Sequence, residues 1–128
     1  MTLAWRSTAM IRVLVADDHD LTRRCISSFL SREDDFAICG EAADGVQAVE
    51  QARNLAPDVI VMDVSMPNMD GLAAARTIRR ENPSAHIVMI SLQEPSVLKE
   101  ITSRHGLAFV DKANLAGDLI PTLRHLTA

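Results

Sequence analysis

Short uninterrupted apolar runs alternate along this chain with longer stretches whose apolar residues recur every three or four positions. The runs are Met10 to Ala16, Ala37 to Ala42, Asp58 to Met62, His86 to Ile90 and Leu107 to Val110, and their shortness and polar boundaries predict strands. Most are continuous rather than alternating, as expected when both faces of a parallel sheet are covered. Between them, Leu21, Cys25 and Phe29 fall at i, i+4 and i+8, while Val46 with Val49, Leu72 with Ala75, and Val97 with Ile101 keep helical spacing. A strand followed by a helix, repeated about five times, predicts an α/β domain built on a parallel sheet.

Chain breakers agree with this alternation. Asp20 is placed to cap the first helix and Asp44-Gly45 the second, Asn82-Pro83 stops the third, and Pro95 opens the fourth. In the last stretch Leu115, Leu119, Leu123 and Leu126 form one stripe, yet Pro121 falls inside it. A proline there lacks the backbone donor and crowds the carbonyl four residues back, so the helix either starts late, near Gly117, or kinks. No repeat, low-complexity tract or Gly/Ser linker divides the sequence.

Composition narrows the possibilities. With 128 residues, 48% of them hydrophobic, there is material for one core rather than two. Met10-Ile11-Arg12 resembles a natural start, so residues 10–128 are expected to form the domain and residues 1–9 an irregular extension. A net charge of −4 provides no large positive field, which argues against nonspecific binding to nucleic acid or anionic membranes. Cys25 and Cys39 lie outside any C-x-x-C pattern in apolar neighbourhoods, the pattern of buried free thiols in a reducing compartment. No apolar run approaches the roughly 20 residues of a membrane span, and a soluble, cytoplasmic protein is expected.

The chemistry gathers at strand ends. Asp17-Asp18 closes the first run, Asp63 the third and Ser91 the fourth, and Lys112 follows the fifth. A doubly wound parallel sheet collects such residues in the crevice beyond the carboxyl ends of its strands. Carboxylates crowded there raise one another's pKa unless a cation offsets the repulsion, and two or three of them with a backbone carbonyl and water suit Mg²⁺. A remaining carboxylate can then act as a nucleophile toward phosphorus, with the lysine and the serine hydroxyl meeting the phosphoryl oxygens. Taken alone, Asp17 and Asp18 could merely cap a helix, and Phe109 could merely be core. His19 suits a helix entry better than a hard-oxygen metal site.

The stretches Val15-Ala16-Asp17-Asp18-His19, Asp63-Val64-Ser65-Met66-Pro67-Asn68-Met69-Asp70-Gly71, Ser91 and Phe109-Val110-Asp111-Lys112, in this order, resemble the receiver domain of two-component response regulators. Among receivers the chain is most similar to those of helix-turn-helix transcription regulators that begin Ala-Asp-Asp-His. The resemblance runs from about Met10 to Leu126. It implies a flavodoxin-like, doubly wound (βα)5 three-layer sandwich with a five-stranded parallel sheet in the order 2-1-3-4-5. It also implies Asp63 as phosphoacceptor for a sensor histidine kinase. Mg²⁺ would be held by Asp18, Asp63 and the Ser65 carbonyl directly, and by Asp17 through water. Lys112 would pair with the phosphoryl group or, before it arrives, with Asp63. Ser91 and Phe109 would move as switch residues and remodel the face of the fourth helix, fifth strand and fifth helix.

On the same resemblance the chain would turn over no external substrate, catalysing only its own phosphorylation and dephosphorylation. It would homodimerise on activation, and would reach DNA only through an output domain that these residues do not contain. Departures from the family pattern sit beside the pocket and on the output face. Leu92 replaces a small residue, Ser65 and Gln93 occupy the positions that tune phosphoryl lifetime, Ala113 follows the lysine, and the segment from Ser91 to Lys112 is about one residue short of the family pattern. These departures keep a second class open, a receiver-like interaction module that signals by partner binding with little phosphorylation. A hydrolase acting on external phosphate esters fits less well, since no acid stands two residues after Asp63.

Overall fold

The computed structural model describes residues 10–93 and 95–128, so the expectation for residues 1–9 lies outside the described residues. Along the chain run β1 (Ile11–Ala16), α1 (Asp20–Ser31), β2 (Phe36–Ala42), α2 (Gly45–Leu55), β3 (Val59–Asp63) and α3 (Gly71–Glu81). They are followed by β4 (His86–Ser91), α4 (Pro95–Arg104), β5 (Ala108–Asp111), a 3-10 turn (Lys112–Asn114) and α5 (Leu115–Thr127). All strand pairs are parallel, in the order β2-β1-β3-β4-β5, the flavodoxin-like arrangement expected from the sequence. The order reverses beside β1, which places a crevice between β1 and β3 at their carboxyl ends.

Alternation along each strand sends side chains to two separate cores. Leu14, Ala16, Ile60, Met62, Ile87 and Met89 face α2, α3 and α4, where Ala48, Val49, Ala74, Ala75, Ile78 and Leu98 meet them. Val13, Val15, Val59, Val61, Val88, Ile90 and Val110 face α1 and α5, packing on Ile26, Leu30, Leu115, Leu119 and Leu123. Both faces are therefore dry, which is why the strands read as unbroken apolar runs. β3, β4 and β5 each extend one residue beyond the apolar run, to Asp63, Ser91 and Asp111, because the ladder is made by main chain and continues under a polar side chain (Asp63 pairs with Ile90, Ser91 with Asp111).

Several local expectations need correction. The buried face of α1 is Ile26 and Leu30; of the stripe through Leu21, Cys25 and Phe29, only the half-buried Phe29 packs on the core, while Leu21 is 72% exposed and Cys25 is exposed too. Cys25 is consequently an exposed thiol, while Cys39 is half-buried and burial pushes its pKa up. In α4 the buried pair is Leu98 and Thr102, one position beyond Val97 and Ile101. Likewise Val46 is exposed on α2, where Ala48 and Val49 make the contact. His19, not Asp20, is the N-cap of α1, and Asp20 is its first residue, paired with Arg23. Asp44 does cap α2, accepting from Gln47 N at 2.8 Å. α5 does not start late: it begins at Leu115 and runs through Pro121, because burial of Leu115, Leu119 and Leu123 against the sheet outweighs the one lost backbone bond.

Candidate functional site

Two loops carry the carboxylates, and each is held by a specific device. Behind Asp63, the chain turns through Val64 to Asp70 and re-enters as α3, whose cap Asp70 accepts from Ala73 N at 2.8 Å. Gly71 lies so close to the end of β3 that a Cβ on it would fall 1.9 Å from the Asp63 carbonyl oxygen. Its own N–H donates to the Val64 carbonyl at 2.8 Å. Glycine is required there for close approach; the left-handed residue of the turn is Asn68, at φ 68°. The Asn68 side chain donates to Asp44 Oδ2 at 2.7 Å, tying this loop to the start of α2. Together these contacts fix where Asp63 points.

Asp17, Asp18 and Asp63 converge as expected, and His19 joins them, all four offering a ligand atom within 4.8 Å of one another. Asp17 is fully buried and Asp63 is 4% exposed. Asp17 Oδ1 accepts from His19 N at 2.8 Å, and the His19 Nδ1 lies 3.1 Å from both Asp17 Oδ1 and Asp18 Oδ1. The Lys112 Nζ reaches Asp17 Oδ2 at 2.7 Å and Asp63 Oδ1 at 3.4 Å. The lysine therefore bridges the two buried carboxylates and sits nearer Asp17, where the sequence expectation paired it with Asp63. Burial raises the pKa of Asp63, and repulsion from Asp17 adds to this; Lys112 and the Ser65 N–H oppose it.

Ser91 is buried at the end of β4, where its hydroxyl accepts from Gln93 N at 2.9 Å. The Gln93 side chain spans to Ser65 Oγ at 3.1 Å, so the loops after β3 and β4 are joined across the mouth of the site. Ser65 N–H points at Asp63 Oδ1 from 3.4 Å. Leu92 stands 74% exposed next to Ser91. Phe109, one strand away, is half-buried and packs against the core beneath α3 and α4.

Arg23 was not singled out by its place in the sequence. Its Nη1 donates to the Asp17 carbonyl at 2.5 Å and its Nε to Glu41 at 3.0 Å, so a cation from α1 braces the loop that carries Asp17 and Asp18. Nothing in the spacing of an arginine six residues downstream signals this, since the contact depends on where α1 lands.

The donor set fits a hard divalent cation. Three carboxylates face one point, and Lys112 meets Asp17 Oδ2 as an ion pair without the alignment of a hydrogen bond, leaving a buried oxygen with no hydrogen-bond donor. Such an oxygen has spare capacity for a cation or its bound water.

Residues 13–124 match the family model described as the response regulator receiver domain. A protein-glutamate methylesterase/protein-glutamine glutaminase of Alkalilimnicola ehrlichii is 40% identical over 120 residues, covering 91% of this chain and 31% of the relative. The transcriptional regulatory protein LiaR of Bacillus subtilis is 34% identical over 116 residues, covering 90% of this chain and 55% of the relative. The chain thus spans about half or less of the curated relatives it matches. Among solved structures, the response regulator domain of Thermotoga maritima CheB superposes with a TM-score of 0.85 at 31% identity, covering 92% of this chain and 96% of that one. By its sequence, its strand order and its acidic strand-end crevice, the chain belongs to the response regulator receiver domain family of two-component systems.

Proposed function

We propose that Asp63 is the phosphoacceptor of this receiver, taking a phosphoryl group from a sensor histidine kinase and using it to change the surface around α4, β5 and α5. The observation that carries this reading is the meeting of three carboxylates and one ammonium at the ends of β1, β3 and β5, with the Lys112 Nζ within ion-pair reach of both Asp17 and Asp63. An Asp63 carboxylate oxygen attacks phosphorus, the P–N bond to the donor histidine breaks, and the proton that the leaving imidazole needs comes from solvent. Lys112 meets the negative charge that arrives, exchanging part of its pairing with Asp17 for the phosphoryl oxygens. Ser91 is free to donate its hydroxyl proton to one of those oxygens while it still accepts from Gln93 N.

Receiver domains bind Mg²⁺ at an acidic pocket. Here Asp18, Asp63 and the Ser65 carbonyl would hold it directly, and Asp17 through water. When bound, the ion neutralises phosphoryl oxygens and relieves the repulsion among the aspartates. The domain turns over no external substrate; its chemistry is its own phosphorylation and dephosphorylation.

Transcriptional control through an output domain carried outside these residues is the biological role we infer, in line with the regulator from Bacillus subtilis. No helix among the described residues is long and apolar enough to cross a membrane. The test is intact-mass measurement after incubation with Mg²⁺ and a small acyl-phosphate donor. Wild type gains one phosphoryl group and Asp63→Asn gains none; an unmodified wild type, under conditions that would retain a slowly hydrolysing adduct, overturns the proposal.

A further inference from the structure

One cluster of positive charge forms no ion pair among the described residues. A groove of about 300 Å³ lies between α3 and the end of α4, lined by Ala75, Arg76, Arg79, Arg80, His105 and Leu107. No carboxylate lines it. Other arginines find acids: Arg23 meets Asp20 and Glu41, Arg53 meets Glu81, Arg104 meets Glu100, and Arg124 meets Glu33 and Asp35. Arg12, Arg24 and Arg32 lack one too, but Arg12 stands on β1 and donates to the Leu55 and Ala56 carbonyls, the other two stand on or beside α1, and none of them lines the groove. Arg76, Arg79 and Arg80 form no ion pair among the described residues, Arg80 acting on Glu81 only through its field, and helical spacing puts all three on adjoining positions of α3.

Arg79 is the least satisfied of the three. Its Nε is buried without a hydrogen-bond partner, and its two terminal nitrogens reach only the Gly106 carbonyl, each at 3.5 Å. That distance is at the outer edge of a hydrogen bond. A guanidinium that is partly desolvated and poorly paired costs free energy, and a carboxylate docking in its planar fork offsets that cost. Gly106 belongs to the loop after α4, so Arg79 spans the groove from one helix to the other's end.

We propose that the groove between α3 and α4 is a docking site for an acidic, amphipathic segment of a partner protein. Its carboxylates would pair with Arg76, Arg79 and Arg80, and its apolar side chains would lie against the aliphatic stems of these arginines and the edge of Leu107. A nucleic-acid occupant fits less well. The net charge of −4 repels a long polyanion, and no Phe, Tyr or Trp lines the groove for a base to stack on. Docking requires no phosphoryl group on Asp63, so it stands or falls separately from the proposed phosphorylation.

The test uses the unphosphorylated full chain and a fluorescein-labelled synthetic helix with leucine on one face and glutamate at i, i+3 and i+4. Binding is read by anisotropy and located by amide shifts in an NMR spectrum. Saturable binding is expected, with shifts centred on the groove residues and affinity falling as salt is raised. Arg76→Glu/Arg80→Glu alters two exposed positions and leaves the melting temperature within a few degrees of wild type; it weakens binding at least about tenfold. Arg79→Gln also weakens it, and a peptide with glutamine for glutamate does not bind. The proposal is overturned if the glutamate peptide fails to bind, binds the double variant equally, maps elsewhere, or is outcompeted by a short DNA duplex.

Discussion

α3 and α4 lie side by side on the same face of the sheet, yet they are held very differently. α3 begins with Gly71 pressed against the end of β3, is capped by Asp70, and buries Gly71, Ala74, Ala75 and Ile78. α4 buries only Leu98 and Thr102, leaves Val97 54% exposed, and gives way to a turn through Gly106 at φ 67°. The Thr102 hydroxyl spends its bond on the Leu98 carbonyl within its own helix. The helix that follows Asp63 is thereby fixed, whereas the helix that follows Ser91 is lightly attached. The proposed switch needs both kinds of attachment, one to hold geometry and one to report a change.

The largest test of this contrast is Gly71→Ala. A methyl group 1.9 Å from the Asp63 carbonyl oxygen cannot be absorbed without moving α3, so a loss of about 3 kcal/mol or more is expected in denaturant unfolding. Near-wild-type stability would mean that α3 is not clamped. Next come matched truncations. Ile78→Ala in α3 is expected to cost about 3 kcal/mol, and Leu98→Ala in α4 about 2 kcal/mol, because the lightly held helix can settle into the space. Hydrogen exchange should show α4 amides opening well before those of α3; equal protection would erase the distinction.

A third test asks where repulsion is stored. The pKa of Asp63 is raised by burial and by Asp17, so its favourable contribution is fully present below the ordinary value of 3.8 and is lost as pH rises through the folded-state value. Asp63→Asn should therefore melt above wild type at neutral pH, and the gap should close as the solution is acidified. Adding Mg²⁺ should raise the melting temperature of wild type more than that of the variant. A variant less stable than wild type at neutral pH, without Mg²⁺, would show that Lys112 outweighs the repulsion. The smallest effect is expected for Gln93→Ala. Losing the bond to Ser65 should change stability by no more than about 0.5 kcal/mol, yet speed exchange at the start of α4. Unchanged exchange there would mean that the bridge does not restrain the helix.

What could be read in advance follows the same division. Strands covered on both faces must be apolar throughout, so their runs were visible to within a residue or so, and strand-end placement then brought Asp17, Asp18, Asp63, Ser91 and Lys112 to one edge. Helical faces were less legible. In α1 and α4, overlapping stripes fit the same spacing, and only packing against the sheet selects Ile26 with Leu30 over Leu21 with Cys25, or Leu98 over Val97. The bracing by Arg23, the approach of His19 to two carboxylates and the preference of Lys112 for Asp17 depend on distances between elements, which spacing along a chain does not encode. Pro121 left two outcomes open, a late start or a kink, and tertiary burial of Leu115 removes the late start.

The two sides of the sheet also differ as materials. Valines dominate the side toward α1 and α5, and a branched Cβ leaves each of them few rotamers. Met62 and Met89 lie in the opposite core with Met66 and Met69 against it, while no methionine among the described residues belongs to the valine side. Thioether chains refill irregular space at low cost. The sheet therefore backs onto a stiff layer on one side and a compliant one on the other, and the compliant layer lies beneath α3 and α4. A shift of α4 can be taken up there by soft side chains, while the valine layer keeps the strand ends, and the charges they carry, in register.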